Sequence, residues 1–190
     1  MAKASKTIAS IFGILLIVAY GIPLYFTRSA AGCASCHSMK PYYESWRASM
    51  HVVAAEHCLD CHIKPGVVNR FLFTLFFWRE IEAEFSGREL KPTGVSLPGS
   101  ASCVRAGCHA LNRALSASRD IRINHREHVT RFKIECVECH SGTVHAGVKG
   151  IGKPLPSKEL CFRCHGGLKN QCSFCHTKRF TMGEPSPHGN

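Results

Sequence analysis

Apolar and polar positions are distributed unevenly along this chain. Residues 8–26 read IASIFGILLIVAYGIPLYF, nineteen positions without a charge. That is about the length a helix needs to cross the hydrocarbon core of a bilayer, so the run predicts one transmembrane helix. A second apolar stretch, FLFTLFFW at 71–78, is too short to cross. Arg70 and Arg79 flank it. Its aromatic density suits a helix lying in the membrane interface, or one packed on large apolar faces within the protein. Gly- and Pro-bearing stretches at 87–102, at 142–157 and from 177 onward read as loops. The pattern predicts a mainly α fold with extensive loops, short helices and no sizeable sheet.

Lys3 and Lys6 precede the apolar run. The positive-inside rule therefore puts the N-terminus in the cytoplasm and everything from Arg28 onward on the periplasmic side of the inner membrane. Ser29-Ala30-Ala31 also fits a signal-peptidase site, which would make the run a cleaved leader. Nineteen apolar residues are long for that role, and Pro23, Tyr20 and Tyr25 suit a retained interfacial end. The expectation is a single-pass anchor over residues 1–28.

The cysteines change the picture most. All twelve fall into six pairs, each followed at once by histidine. They are Cys33/Cys36 with His37, Cys58/Cys61 with His62, and Cys103/Cys108 with His109. Then come Cys136/Cys139 with His140, Cys161/Cys164 with His165, and Cys172/Cys175 with His176. Five pairs have two intervening residues and the third has four. C-x-x-C-H is the attachment signature of c-type haem. Two thiols on one turn reach two vinyl groups, and the adjacent imidazole becomes the proximal ligand of the iron. Zinc knuckles also use C-x-x-C but have no need of a histidine directly after it. A lipidation site at Ala31-Gly32-Cys33 would consume a thiol the haem needs. Six haems on a chain of this length make porphyrin the expected core.

The formal charge of +11 would ordinarily suggest nucleic acid or anionic lipid. Six haems bring twelve propionates, so the basic residues are read instead as their counter-ions and as a docking surface. Nucleic acid is not an expected partner.

Six histidines remain beyond the motifs: His51, His57, His125, His128, His145 and His188. His125 and His128 form H-x-x-H, one helical turn apart, and could serve two neighbouring haems. His51 and His57 sit close in sequence to the first two motifs, and His145 follows the fourth by five residues. Each is a candidate distal ligand. Met39, two residues after His37, is either an axial thioether that would raise the first haem's potential or a gap-filling core residue.

The motifs also carry a resemblance. CASCHSM, CLDCHIKP, WREIEAEFSG and CVECHSGTVH resemble segments of the NapC/NirT/NrfH family of membrane-anchored tetrahaem quinol dehydrogenases. That resemblance covers residues 1–148. It implies Met39 as a ligand of the first haem, His145 as a distal ligand, and Glu80 as the carboxylate exchanging protons with a quinone. An ordinary surface carboxylate is the alternative for Glu80. The chain departs from the family where its quinone-site lysine falls on Phe73. The third motif has the C-x4-C-H form of c3-type cytochromes, and two further motifs form a dihaem extension over 149–190. A short hexahaem chain with one anchor looks most like the cytochrome subunit of Qrc menaquinone reductases, and is similar to the pentahaem subunit of alternative complex III.

The function this implies is an electron relay between a periplasmic c3-type cytochrome and the menaquinone pool. It would work beside iron–sulfur, molybdopterin-like and polytopic membrane subunits, without catalysis of its own. The alternative is an NrfH-like quinol dehydrogenase feeding a periplasmic terminal reductase. A third reading, an oxyanion reductase, would need an open iron in a polar pocket.

Overall fold

The computed structural model describes residues 2–88, 98–116 and 119–177. Residues 1, 89–97, 117–118 and 178–190 lie outside that description, and with them the candidate ligand His188 and most of the expected tail.

The apolar run folds as expected into α1, Ala2–Thr27. Twenty-six residues at about 1.5 Å each give nearly 40 Å, more than a bilayer core requires. Its large side chains face outward, Ile8 being 67% exposed and Ile17 71%. That distribution suits lipid around much of the helix, not a protein core. The helix ends at Thr27, whose hydroxyl donates back to the carbonyl of Pro23 (2.8 Å). Ser29 then caps the next short helix, α2 (Ala30–Cys33), by accepting from the amide of Gly32 (3.1 Å). A Cβ on Gly32 would stand 2.1 Å from the carbonyl oxygen of Phe26, so only glycine allows the chain to double back here. This tight return holds the first cysteine pair against the end of the anchor.

The second apolar stretch belongs to a longer helix than its apolar core suggested, α5 (Val67–Ser86). It starts after Gly66 and stops at Gly87, whose φ of 65° is the left-handed turn typical of a helix C-terminus. α5 packs on α1. The Trp78 indole donates to the carbonyl of Ala19 (2.6 Å), and Phe71 meets Tyr20 with ring centres 5.7 Å apart. The aromatic patch thus contacts the membrane helix, while Val67, Val68 and Phe76 remain exposed beside it.

The rest is a succession of one- and two-turn helices separated by loops. These are α3 (Lys40–Arg47), α4 (Leu59–His62), α6 (Ser100–Cys103), α7 (His125–Thr130), α8 (Cys136–Cys139), α9 (Lys158–His165) and α10 (Cys172–Cys175). Among the described residues there are no strands, only isolated bridges at Leu115–Arg122 and Ile121–His176. The buried apolar side chains there are Ala30, Ala55, Leu59, Ile63 and Ala83. Side chains so small and few cannot build a core for a chain of this size.

Candidate haem-binding site

Each attachment turn is local structure with a clear cause. In α8 and α10 the two cysteines lie three residues apart on one turn, and Cys58 caps α4 three residues before Cys61, a spacing that puts both sulfurs on one face. α8 is the best capped: Glu135 and Glu138 satisfy each other's backbone amides in a capping box. None of the twelve cysteines is paired in a disulfide. Among the described residues no three His, Cys, Asp or Glu side chains converge as a zinc site requires.

The turns are stitched together in sequence order. Cys33 and Cys58 share a side-chain hydrogen bond, which with burial pushes the Cys33 thiol up. Cys61 lies within electrostatic reach of Cys108. Burial, and then the neighbouring Cys136, push the Cys103 thiol up to about 12. Cys139 lies within electrostatic reach of Cys161 and Cys164, and Cys161 of Cys175. First to sixth, a cysteine of each turn thus lies within electrostatic reach of a cysteine of the next.

Polar ties hold this order. The enlarged third loop spends its extra residues on Arg105, whose guanidinium stands 4.0 Å from Asp60 in the second motif. Ser100, opening α6, donates its backbone amide to Glu135 and accepts from the amide of Cys136 (3.1 Å). The sixth turn docks instead on the loop between the third and fourth motifs: Arg122 N–H donates to the carbonyl of Cys175 (2.7 Å), and Thr177 N–H to that of Asp120 (2.9 Å).

The histidines form a second pattern. Ring centres stand 6.0 Å apart for His51 and His109, 6.1 Å for His62 and His145, 6.4 Å for His125 and His140, and 6.1 Å for His128 and His165. Every pair joins one motif histidine to one spare histidine. An imidazole nitrogen sits about 2 Å from a metal it binds, so two rings on opposite sides of one metal have centres about 6 Å apart. The spare rings are also oriented. His125 Nδ1 lies 2.9 Å from the carbonyl of Arg113, and His128 Nδ1 2.8 Å from that of Asn124. His145 Nδ1 lies 3.1 Å from the carbonyl of Tyr42 and from the Ser45 hydroxyl. Burial, then the neighbouring His62, keep the His145 imidazole pKa below its ordinary value. A carbonyl at Nδ1 places the proton there and leaves Nε2 as the acceptor for a metal. The donor set fits haem.

A cleft of about 460 Å³ beside His145 is lined by Tyr42, Ser45, Gly147 and Lys149, among others. His57 stands outside the four pairs, its Nδ1 buried without a hydrogen-bond partner and its backbone amide bonded to Asp60 (3.0 Å). Met39 ends the one-turn 3-10 helix His37–Met39, so it shares a turn with the first motif histidine. Glu80 is half-buried on α5, and burial raises its carboxyl pKa above the usual range.

The carboxylate that reaches the first motif is Glu84, one turn further along α5. Its Oε1 accepts from the amides of His37 (2.6 Å) and Ser38 (3.3 Å), and its Oε2 from the Ser38 hydroxyl (2.5 Å). These donors, the Ser38 hydroxyl foremost, hold its pKa below the ordinary value. Sequence reasoning missed it. WREIEAEFSG offers three carboxylates, and only the approach of α5 to the first turn selects one.

Cysteine–histidine turns of this form behind one apolar helix define a membrane-anchored c-type cytochrome of electron transport. Comparison with known proteins places it more narrowly: residues 2–91 match the N-terminal region of the NapC/NirT cytochrome c family. The chain is 30% identical over 170 residues to cytochrome c-type protein TorC of Escherichia coli K12, covering 75% of this chain and 41% of TorC. It is 27% identical over 142 residues to cytochrome c-type protein TorY of Haemophilus influenzae, covering 64% and 38%. The chain thus spans less than half the length of these relatives. No solved structure matches it significantly.

Proposed function

We propose that this chain is a hexahaem electron relay, anchored by α1 with its haem-bearing part in the periplasm, between the menaquinone pool and a periplasmic redox partner. Covalently bound haem supplies one-electron transfer at low potential, and six attachment turns imply six such centres. The observation that carries this reading is the pairing of four motif histidines with four spare ones at about 6 Å. His51, His145, His125 and His128 then serve as distal ligands to the third, second, fourth and fifth haems. Met39 serves the first. His57 is left as a further candidate ligand near the first two turns.

The work of the protein is placement. The turn-to-turn electrostatic reach of the cysteines supports a path from the anchor to the sixth turn. The carbonyls of Tyr42, Arg113 and Asn124 fix ring tautomers, and a fixed, paired ligand sphere limits rearrangement on oxidation and reduction. Glu80, with its raised pKa, is the candidate for proton exchange at the membrane side.

Two directions of flow fit this arrangement. Six motifs, with the extension over 149–190, favour a Qrc-like subunit that takes electrons from a c3-type cytochrome and works beside iron–sulfur, molybdopterin-like and polytopic subunits. The NapC/NirT match over residues 2–91 favours the reverse flow, from menaquinol to a periplasmic reductase.

The test is purification from detergent-solubilised membranes. The reading requires six haems per chain by mass and by pyridine haemochrome. It also requires rapid equilibration with a menaquinol analogue in the presence of the co-purifying subunits. A mass equal to the bare polypeptide overturns it. Co-purification with iron–sulfur and polytopic subunits selects the first direction, and a single soluble multihaem reductase selects the second.

A further inference from the structure

Three contacts converge on one side chain across 47 positions of sequence: the amides of His37 and Ser38 and the Ser38 hydroxyl all donate to Glu84. Both amides belong to the 3-10 turn that carries His37 at one end and Met39 at the other. Glu84 stands in the last turn of α5, the helix fastened to the membrane anchor through Trp78 and Ala19. His37 and Ser38 are otherwise exposed.

We propose that Glu84 is the positioning residue of the first redox centre. It clamps the turn bearing His37 and Met39 onto the membrane-packed helix, and it sets a negative charge beside that centre which lowers its reduction potential. The clamp gives the centre nearest the anchor a fixed attitude relative to α1 and α5. The charge acts by Coulomb's law from a solvent-facing turn directly beside the centre, favouring the oxidised, more positive state of the iron. A carboxylate accepting charge-assisted bonds from two amides and a hydroxyl is well suited to do both. This inference rests on the reading of Cys33, Cys36 and His37 as a haem-attachment turn.

The experiment is a redox titration of the purified six-haem protein followed optically, wild type against Glu84→Gln and Ser38→Ala. The amide of Glu84→Gln still accepts from the two backbone amides but carries no charge. One of the six waves should move to higher potential, with the other five unchanged and the haem content still six. Ser38→Ala keeps the charge and removes one donor that offsets it, so the same wave should move the other way. Six unmoved waves in Glu84→Gln overturn the proposal, as does a uniform shift of all six. Should Glu84→Gln fail to accumulate, Ser38→Ala decides alone: no downward movement of a single wave overturns it. A wild-type protein without haem overturns the proposed function instead, so the two failures are distinct.

Discussion

The imidazoles of His125 and His140 stand 6.4 Å apart and only 18° from parallel. Fifteen residues separate them in sequence. Three residues after His125 along α7, His128 faces His165 at 6.1 Å. One helical turn thus faces two attachment turns, those of Cys136/Cys139 and of Cys161/Cys164.

Replacing His125 should open one iron and leave the others intact. In His125→Ala, one haem of six becomes high-spin and binds carbon monoxide. His128→Ala does the same to a different haem, and the double variant frees two. Carbon monoxide difference spectra and electron paramagnetic resonance read the count directly. Two irons opened by either single substitution would sink the pairing.

Glu135 ties the third and fourth turns by accepting from Ser100 while capping α8. The Ser100 side chain and then its amide hold the Glu135 carboxyl pKa below its ordinary value of 4.5. A lowered folded-state pKa contributes stability that is present above the unfolded value and lost as pH falls through the folded one. Glu135→Gln should therefore melt below wild type at neutral pH. The gap should close as pH drops beneath about 4.5. Melting curves at several pH values check this, and a gap unchanged at pH 3 would contradict it.

Gly142 lies where a Cβ would stand 1.9 Å from the carbonyl oxygen of Gly152 and 2.6 Å from the carbonyl carbon of Lys153. Both obstacles are backbone, so the loop must move. That loop brings the carbonyl of Pro154 to His140 Nδ1 at 3.3 Å. Gly142→Ala should cost about 1–3 kcal/mol, as overpacking does. It should also perturb the fourth haem's spectrum selectively. Thermal unfolding and a haem-resolved redox titration would show both effects.

The bond from Trp78 to the Ala19 carbonyl fastens α5 to the anchor. Trp78→Phe keeps an aromatic ring and removes the donor, so the loss should be about 0.5–1.5 kcal/mol, the net worth of one hydrogen bond. Thermal unfolding in detergent, together with faster protease cleavage within 67–86, would register it. An unchanged melting temperature would show that packing alone holds the two helices.

The sequence by itself determined whatever depends on spacing along the chain. Nineteen uncharged apolar residues specify α1 because only a helix satisfies its own backbone in hydrocarbon. Six cysteine pairs with trailing histidines specify the attachment turns because both sulfurs and the imidazole belong to one local loop. That His125 and His128 lie on one face of a helical turn was legible for the same reason.

Tertiary structure alone decided which spare histidine meets which motif, since the partners of His62 and His109 lie 83 and 58 residues away. It chose Glu84 over Glu80 and Glu82, and it showed why Gly32 and Gly142 must be glycine. Local spacing fixes a turn. Pairing two turns requires loops to close around a common body, and that geometry is written in contacts distant in sequence, not in any one segment.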